Sequence, residues 1–404
     1  MRISLATNFH DALPSLVRPY GVFELYGKLP ADVVGGGRAS FMLAPTSRRA
    51  VARHVAACCG VGLGFNYLLN ASCLDNLEYT RAGQKRIRRL LDWLSELGVS
   101  AVTVANPFLL RLLKTAYPHF EVRVSVFACV NDVRRVNYWE ELGADRVTLD
   151  SLQINREFDL LRKIREATRC RLELLASNSC LQNCPLQPYH PNLLSHASQR
   201  GHRSRGFAID WCLLWCSYMK IRDPVNYVRA DWIRPEDTVH YEALGYDEFK
   251  LTERNAPTEI LVLRARAYHE RRYDGNLLDL VQPYGLPVAG GRAERRGLGW
   301  VVRHFLGRGG VRWRKLPLLY HLARRRGLVG APEGTPVYVD NRALDGFIRR
   351  FSKQGCRDLD CEQCGYCHAW AAKAVRIDDA WRDECLALYE TAFKEMESGR
   401  LWRG

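Results

Sequence analysis

The chain has 404 residues, 47% of them apolar, a formal charge of +15 and 14 cysteines. It is long enough to bury one barrel-sized core and to carry one or two smaller modules, and no run approaches the roughly 20 apolar residues of a membrane-spanning helix. Met1-Arg2-Ile3-Ser4-Leu5-Ala6 reads as an immediate strand rather than a cleavable leader, so a cytoplasmic location is expected; thiols in this number, without an export signal, point to thiolate chemistry or metal binding rather than disulfides.

Short β-branched or aromatic runs alternate with helical patterns through the first two-thirds of the chain. Strands are predicted at Arg2–Ala6, Gly21–Tyr26, Gly62–Leu68, Ala101–Ala105, Val122–Phe127, Arg146–Leu149, Arg171–Leu175 and Glu248–Thr252. Between them, apolar residues at three- and four-residue spacing predict helices Arg81–Leu97, Pro107–Ala116, Val133–Leu142 and Asn155–Ala167, with Thr258–Arg271 following the last strand. Eight strand-like units before residue 255 predict an α/β fold, a (β/α)8 TIM-like barrel over residues 1–283, rather than an open doubly wound sheet.

In such a barrel the chemistry lies just beyond the strand C-termini. Strand two leads into Gly35-Gly36-Gly37-Arg38, strand three into Asn70, and strand seven into Ser177-Asn178-Ser179-Cys180. Glu24, Arg38 and Asn70 are therefore candidate substrate-binding residues, Arg38 because a guanidinium grips a carboxylate with two parallel hydrogen bonds. A carboxylate on a barrel strand must face a polar pocket or pair with a cation, which makes Glu173 a candidate proton-transfer group. His190 and His196, between the two cysteine pairs, could face the pocket, and His190 is the other candidate for proton transfer.

Residues 284–337 read as an Arg-rich linker or basic surface: between Arg292 and Arg326 stand ten Arg and one Lys against the single acid Glu294. Trp300, Trp313 and Tyr320 are interleaved, a pattern suited either to gripping RNA or to a solvated helical face. The net positive charge as a whole predicts an anionic substrate or RNA as partner. Residues 338–404 read as a cysteine-rich helical module ending in a helix over Asp378–Ser398.

Six cysteines are scattered in apolar surroundings, and the other eight form two groups of four. Cys180-x3-Cys184 and Cys212-x3-Cys216 supply four thiols from two loop segments, enough for a 4Fe-4S cluster or a tetrahedral zinc; unligated thiols are the remaining alternative. The spacing is not the Cys-x3-Cys-x2-Cys of radical SAM enzymes. Cys356-x4-Cys361-x2-Cys364-x2-Cys367 resembles half a ferredoxin-type site and reads as a second iron–sulfur cluster or a zinc site, with His368 as a substitute ligand. There is no His-Glu-x-x-His, no Gly-x-Ser-x-Gly and no Walker loop.

Arg171-Leu-Glu173-Leu-Leu-Ala176 leading to Cys180 and Cys184-Pro185, then Cys212, Cys216 and Trp232-Ile-Arg234-Pro-Glu236-Asp237, resembles the peptidase U32 family, the collagenase-like proteins, over roughly residues 1–280. That resemblance implies a 4Fe-4S cluster on Cys180, Cys184, Cys212 and Cys216. It also implies oxygen-independent hydroxylation of a small organic molecule or an RNA base, with a prephenate-like oxygen donor, an electron donor and a second U32-type subunit as partners. A peptidase, as the family name has it, is the second expectation. An RNA- or partner-binding protein with structural metal clusters is the third.

Overall fold

The computed structural model describes residues 1–204, 206, 209–281, 298–307, 310–329 and 334–402. Eight parallel strands close into a barrel in chain order: β1 (Arg2–Ala6), β2 (Val22–Gly27), β3 (Gly64–Leu69), β4 (Ala101–Val104), β5 (Glu121–Val124), β6 (Arg146–Thr148), β7 (Arg171–Leu175) and β8 (Glu248–Leu251). The seam closes where Ile3 and Leu5 of β1 pair with Phe249 and Leu251 of β8. All eight expected strands are present, displaced by a few residues at most. The largest trim is at β5, where Ser125 caps a short 3-10 turn over Val126–Ala128 and so ends the strand early.

The strands are covered on the outside by helices, and Ile3, Leu25, Phe65, Val102, Val122, Val147, Leu172 and Phe249 are buried against them. The helix Arg81–Glu96 turns Ile87, Leu90, Leu91 and Leu94 inward, and the Thr80 hydroxyl caps it by accepting from the Gly83 amide. Pro107–Ala116 starts where Asn106 caps the Phe108 and Leu109 amides and proline occupies the first turn. The helix expected from Asn155 begins instead at Phe158. Asn155 and Arg156 donate to backbone carbonyls, Asn155 to Leu175 and Asp231, Arg156 to Val228 and Ala230.

The barrel interior is polar. Arg123 of β5 pairs across it with Glu24 of β2, Arg146 of β6 with Glu248 of β8 at 2.5 Å, and Lys250 of β8 with Glu173 of β7 at 3.1 Å. Ser4 donates to Glu24 and Thr148 donates to Glu173, so these buried carboxylates have partners from several strands.

The stretch expected as a linker is largely helical where it is described. Helices Leu298–Gly307 and Leu316–Arg325 bury Val301, Phe305, Leu319, Leu322 and Ala323 and leave Arg303 and Arg324 exposed, as are Arg312 and Arg314 on the turn between them. Residues 284–297, 308–309 and 330–333 of that expected linker lie outside the described residues. In the tail, Leu344, Phe347, Ile348 and Phe351 join the same apolar core as the barrel. The final helix, Asp379–Glu397, packs Tyr389 and Phe393 against the aromatic face of the helix Trp211–Arg222. Among the described residues no helix is long and apolar enough to cross a membrane.

Candidate active site at the barrel mouth

Beyond the C-terminal ends of the strands lies a cavity of about 240 Å³. Cys180, Cys184, Cys212 and Cys216 all line it, together with Arg38, Asn70, His190, Lys250 and Arg254. Its outer wall is apolar and comes from the helices after residue 297, through Trp300, Phe305, Leu319, Leu322 and Ala323. The described helices of this segment thus cover the barrel mouth with apolar side chains, while Arg303, Arg312, Arg314 and Arg324 are exposed and Arg326 joins the cavity wall.

Cys212 and Cys216 are not on a loop. They lie one turn apart on the helix Trp211–Arg222, which begins where the Asp210 carboxylate accepts from the Leu213 amide at 2.9 Å. Four-residue spacing puts both sulfurs on one face, and the next residue of that stripe is Lys220, 1% exposed. Its ammonium donates to the carbonyl and, at 3.0 Å, to the hydroxyl of Ser179, beside Cys180. The positive charge of Lys220 acts on both Cys180 and Cys216.

Asp231, fully enclosed, organises the other cysteine loop. Its carboxylate accepts from the Cys180 amide at 2.7 Å, from Asn178 at 2.9 Å and from Ser151 at 2.5 Å. Burial pushes this carboxyl above the ordinary range, and the three donors only partly offset it. Burial likewise pushes the Cys212 thiol up to about 12 and raises Cys180, Cys184 and Cys216, so without a cationic centre these thiols stay protonated. Among the described residues no three His, Cys, Asp or Glu side chains converge as the ligands of one metal ion.

The candidates named from sequence divide into two layers. Arg38, Asn70 and His190 line the cavity, whereas Glu24 and Glu173 lie in the paired interior beneath it. Glu173 meets the cavity through its partners Lys250 and Thr148, both of which line it. His196 does not line the cavity and stacks on His202. His190 shares its Nε2 with the Asp210 carboxylate at 2.8 Å; burial raises that carboxyl, and the His190 charge and hydrogen bond more than reverse the effect.

The glycine triplet is a close-packing device. Gly35 has φ +84°, and a Cβ there would stand 2.7 Å from the Ser195 carbonyl; on Gly36 it would stand 2.6 Å from Asn70 Oδ1. Gly35→Ala is therefore expected to lower unfolding stability by about 1–3 kcal/mol, read from a denaturant midpoint with an unchanged slope.

Sequence reasoning missed Lys220, Asp231 and Arg254. Only Lys220 carried a local signal, the repeat Cys212, Cys216, Lys220 at helical spacing. Arg254 follows β8 and faces the cavity, and its Nη1 is buried without a hydrogen-bond partner among the described residues. Burial, and then the neighbouring Arg38 charge, lower it to about 10. Arg38 itself is paired with Glu253 at 3.1 Å, and Lys250 with Glu173. Among the described residues, the cavity therefore presents two guanidiniums without a carboxylate ion pair, Arg254 above β8 and Arg326 in the outer wall.

A parallel eight-stranded barrel whose mouth is closed over four thiols and a buried guanidinium is the architecture of a TIM-barrel protein with its site at the C-terminal face. The peptidase family U32 profile matches residues 71–202. The chain is similar to the "Uncharacterized protease MJ1657" of Methanocaldococcus jannaschii, 29% identical over 355 residues, which cover 88% of this chain and 89% of that protein. It is also similar to the U32 peptidase Mk0906, whose solved structure shares 24% identity and covers 64% of this chain and 94% of its own, with a TM-score of 0.48. The chain is thus similar to peptidase family U32 over residues 71–202, and to that relative over most of its length.

Proposed function

We propose that the protein is an iron–sulfur enzyme in which Cys180, Cys184, Cys212 and Cys216 hold a 4Fe-4S cluster at the wall of the cavity, and that it oxidises or hydroxylates a small organic anion without dioxygen. The observation that carries this reading is that four thiols from two separate segments and the unpaired guanidinium edge of Arg254 share one cavity. The donor set fits: four thiols, flanked by Leu181, Leu213 and Leu214, with the buried ammonium of Lys220 beside them. When bound, the cluster supplies one-electron redox capacity or a Lewis-acidic iron next to the substrate.

The chain's own residues supply the rest. Arg254 binds a carboxylate of the substrate, or of a prephenate-like oxygen donor, in a water-poor setting where a charge-assisted pair is strong. Lys250, fixed by Glu173, and Asn70, fixed by a hydrogen bond to Ser125, orient polar groups deeper in the cavity. His190, aligned by Asp210, is the group placed to hold or move a proton at the rim. The volume suits a small molecule better than a flipped nucleotide with its flanking backbone.

Arg254→Gln is expected to weaken binding of carboxylated substrates by about 10–100-fold, the effect of losing a charge-assisted hydrogen bond of about 1.5–3 kcal/mol. A thermal-shift titration of the anaerobic protein with a panel of aromatic and cyclic carboxylic acids reads this out. Equal binding by both forms would remove Arg254 from the site.

A second reading, a thiol peptidase, is favoured by one observation: the His190–Asp210 pair shares the cavity with Cys184 and Cys212. Peptide hydrolysis that survives removal of iron would select it over the redox reading.

A further inference from the structure

Building on the proposed cluster at the barrel mouth, we infer that Cys356, Cys361, Cys364 and Cys367 hold a second iron–sulfur cluster, which takes electrons from an external one-electron protein donor and passes them inward. The run Cys361-x2-Cys364-x2-Cys367 overlaps its spacings, the middle cysteine serving both pairs, as in ferredoxin-type sites; zinc modules more often use separated pairs. Cys356 precedes the run by five residues and completes four thiols within twelve.

The local fold gathers them. Asp360 caps the single-turn helix Cys361–Cys364 by accepting from Glu362 at 2.8 Å, and Gly365, at φ +60°, ends that turn and starts the helix Tyr366–Ala374, which carries Cys367. The Cys356 amide is held by the Glu157 carboxylate at 2.6 Å, and Cys356 lies within electrostatic reach of Cys361 and Cys367. Three guanidiniums surround the group. Arg350 donates to Cys364 Sγ at 2.9 Å, and Arg156 and Arg229 act on Cys367. Four thiolates outweigh the charge of the iron–sulfide core, so a cationic shell of this kind suits the anionic assembly they form.

The position supplies the direction of flow. Cys361 is exposed and the other three are partly exposed, so a donor protein can approach. On the inner side, Arg229 bonds to Glu362 at 3.1 Å and to His368 at 3.2 Å, and Asp231, two residues on, holds the Cys180 amide. Two residue steps are at most about 7 Å of backbone. One electron leaves a reduced carrier of the small iron–sulfur or flavin protein class, reduces the outer cluster, and passes to the inner one. No bond or proton changes in that step.

The full chain, purified anaerobically, is assayed for iron, sulfide and zinc, and then mixed with reduced ferredoxin while bleaching near 400 nm is followed. The proposal expects about eight irons per chain, about half of them lost in the Cys361→Ser/Cys364→Ser double variant, and reduction of the remaining cluster slowed at least tenfold. Arg350→Met, which keeps all four thiols, is expected to retain the iron and to move the midpoint potential of one of two electron-spin signals to more negative values. Zinc in place of half the iron, or an iron content unchanged by the double variant, would overturn the second cluster. Inner reduction at the original rate would overturn the relay. About four irons lost only on replacing Cys180 would end this proposal and leave the barrel-mouth reading standing; no iron at all would end both.

Discussion

Replacing Glu173 by Gln is expected to cost about 3–5 kcal/mol of stability at pH 7, the usual result of removing one partner from a buried ion pair. Glu173 is wholly buried and accepts from Thr148 at 2.7 Å and from Lys250 at 3.1 Å. Burial raises its carboxyl, and the charges of Lys250, Arg123 and Arg146 more than reverse this, holding it at about 2. A carboxyl held low in the folded state adds stability that is fully present above its unfolded value, near 4.5, and is lost as the pH falls towards 2. The gap between wild type and Glu173→Gln in chemical denaturation should therefore be largest at neutral pH and shrink between about pH 4.5 and pH 2. A gap independent of pH would mean that shape, not charge, is what Glu173 contributes.

The second large effect is expected at Lys220. Its ammonium is buried one turn beyond Cys216, against Ser179, and acts on Cys180 and Cys216. Lys220→Met removes the cation while keeping most of the volume. Affinity of the barrel-mouth site for the proposed cluster is expected to fall about 10–100-fold, as for other supports just outside a metal's ligands. The reading is iron and sulfide retained after anaerobic gel filtration with a mild chelator, with Lys220→Arg retaining more than Lys220→Met. Equal retention in both would make Lys220 a packing residue.

The barrel was legible because its signal is local. Eight short apolar runs alternate with helices such as Arg81–Glu96, whose inward residues recur at helical spacing. The mouth was partly legible for the same reason, since Arg38, Asn70 and Cys180 each follow a strand end. The helix under Cys212 and Cys216 went unread, although Asp210 as its cap and the Cys212, Cys216, Lys220 stripe were both in the sequence. The two helices over the mouth were hidden by composition: Gly and Arg dominate the stretch, while the residues that face the cavity, Trp300, Phe305, Leu319 and Leu322, are few and widely spaced. Arg254 and Asp231 carry no local pattern at all. What matters about them is set by residues far away in the chain, Arg38 for one and Cys180, Asn178 and Ser151 for the other.

Glu24 and Glu173 show how depth in the barrel separates two roles that look alike in sequence. Both stand on strands beside candidate site residues. Both are spent on cations within the interior, and Glu173 reaches the cavity through the Lys250 and Thr148 side chains it bonds.

We propose above that the barrel-mouth thiols hold an iron–sulfur cluster. The most direct test is the visible spectrum of the anaerobically purified protein, with iron and sulfide content, before and after Cys180→Ala. A brown protein with a broad absorption near 400 nm that bleaches on reduction, and a loss of about four irons and four sulfides in the variant, are expected. A colourless protein with zinc alone, or an iron content unaffected by Cys180→Ala, would contradict it.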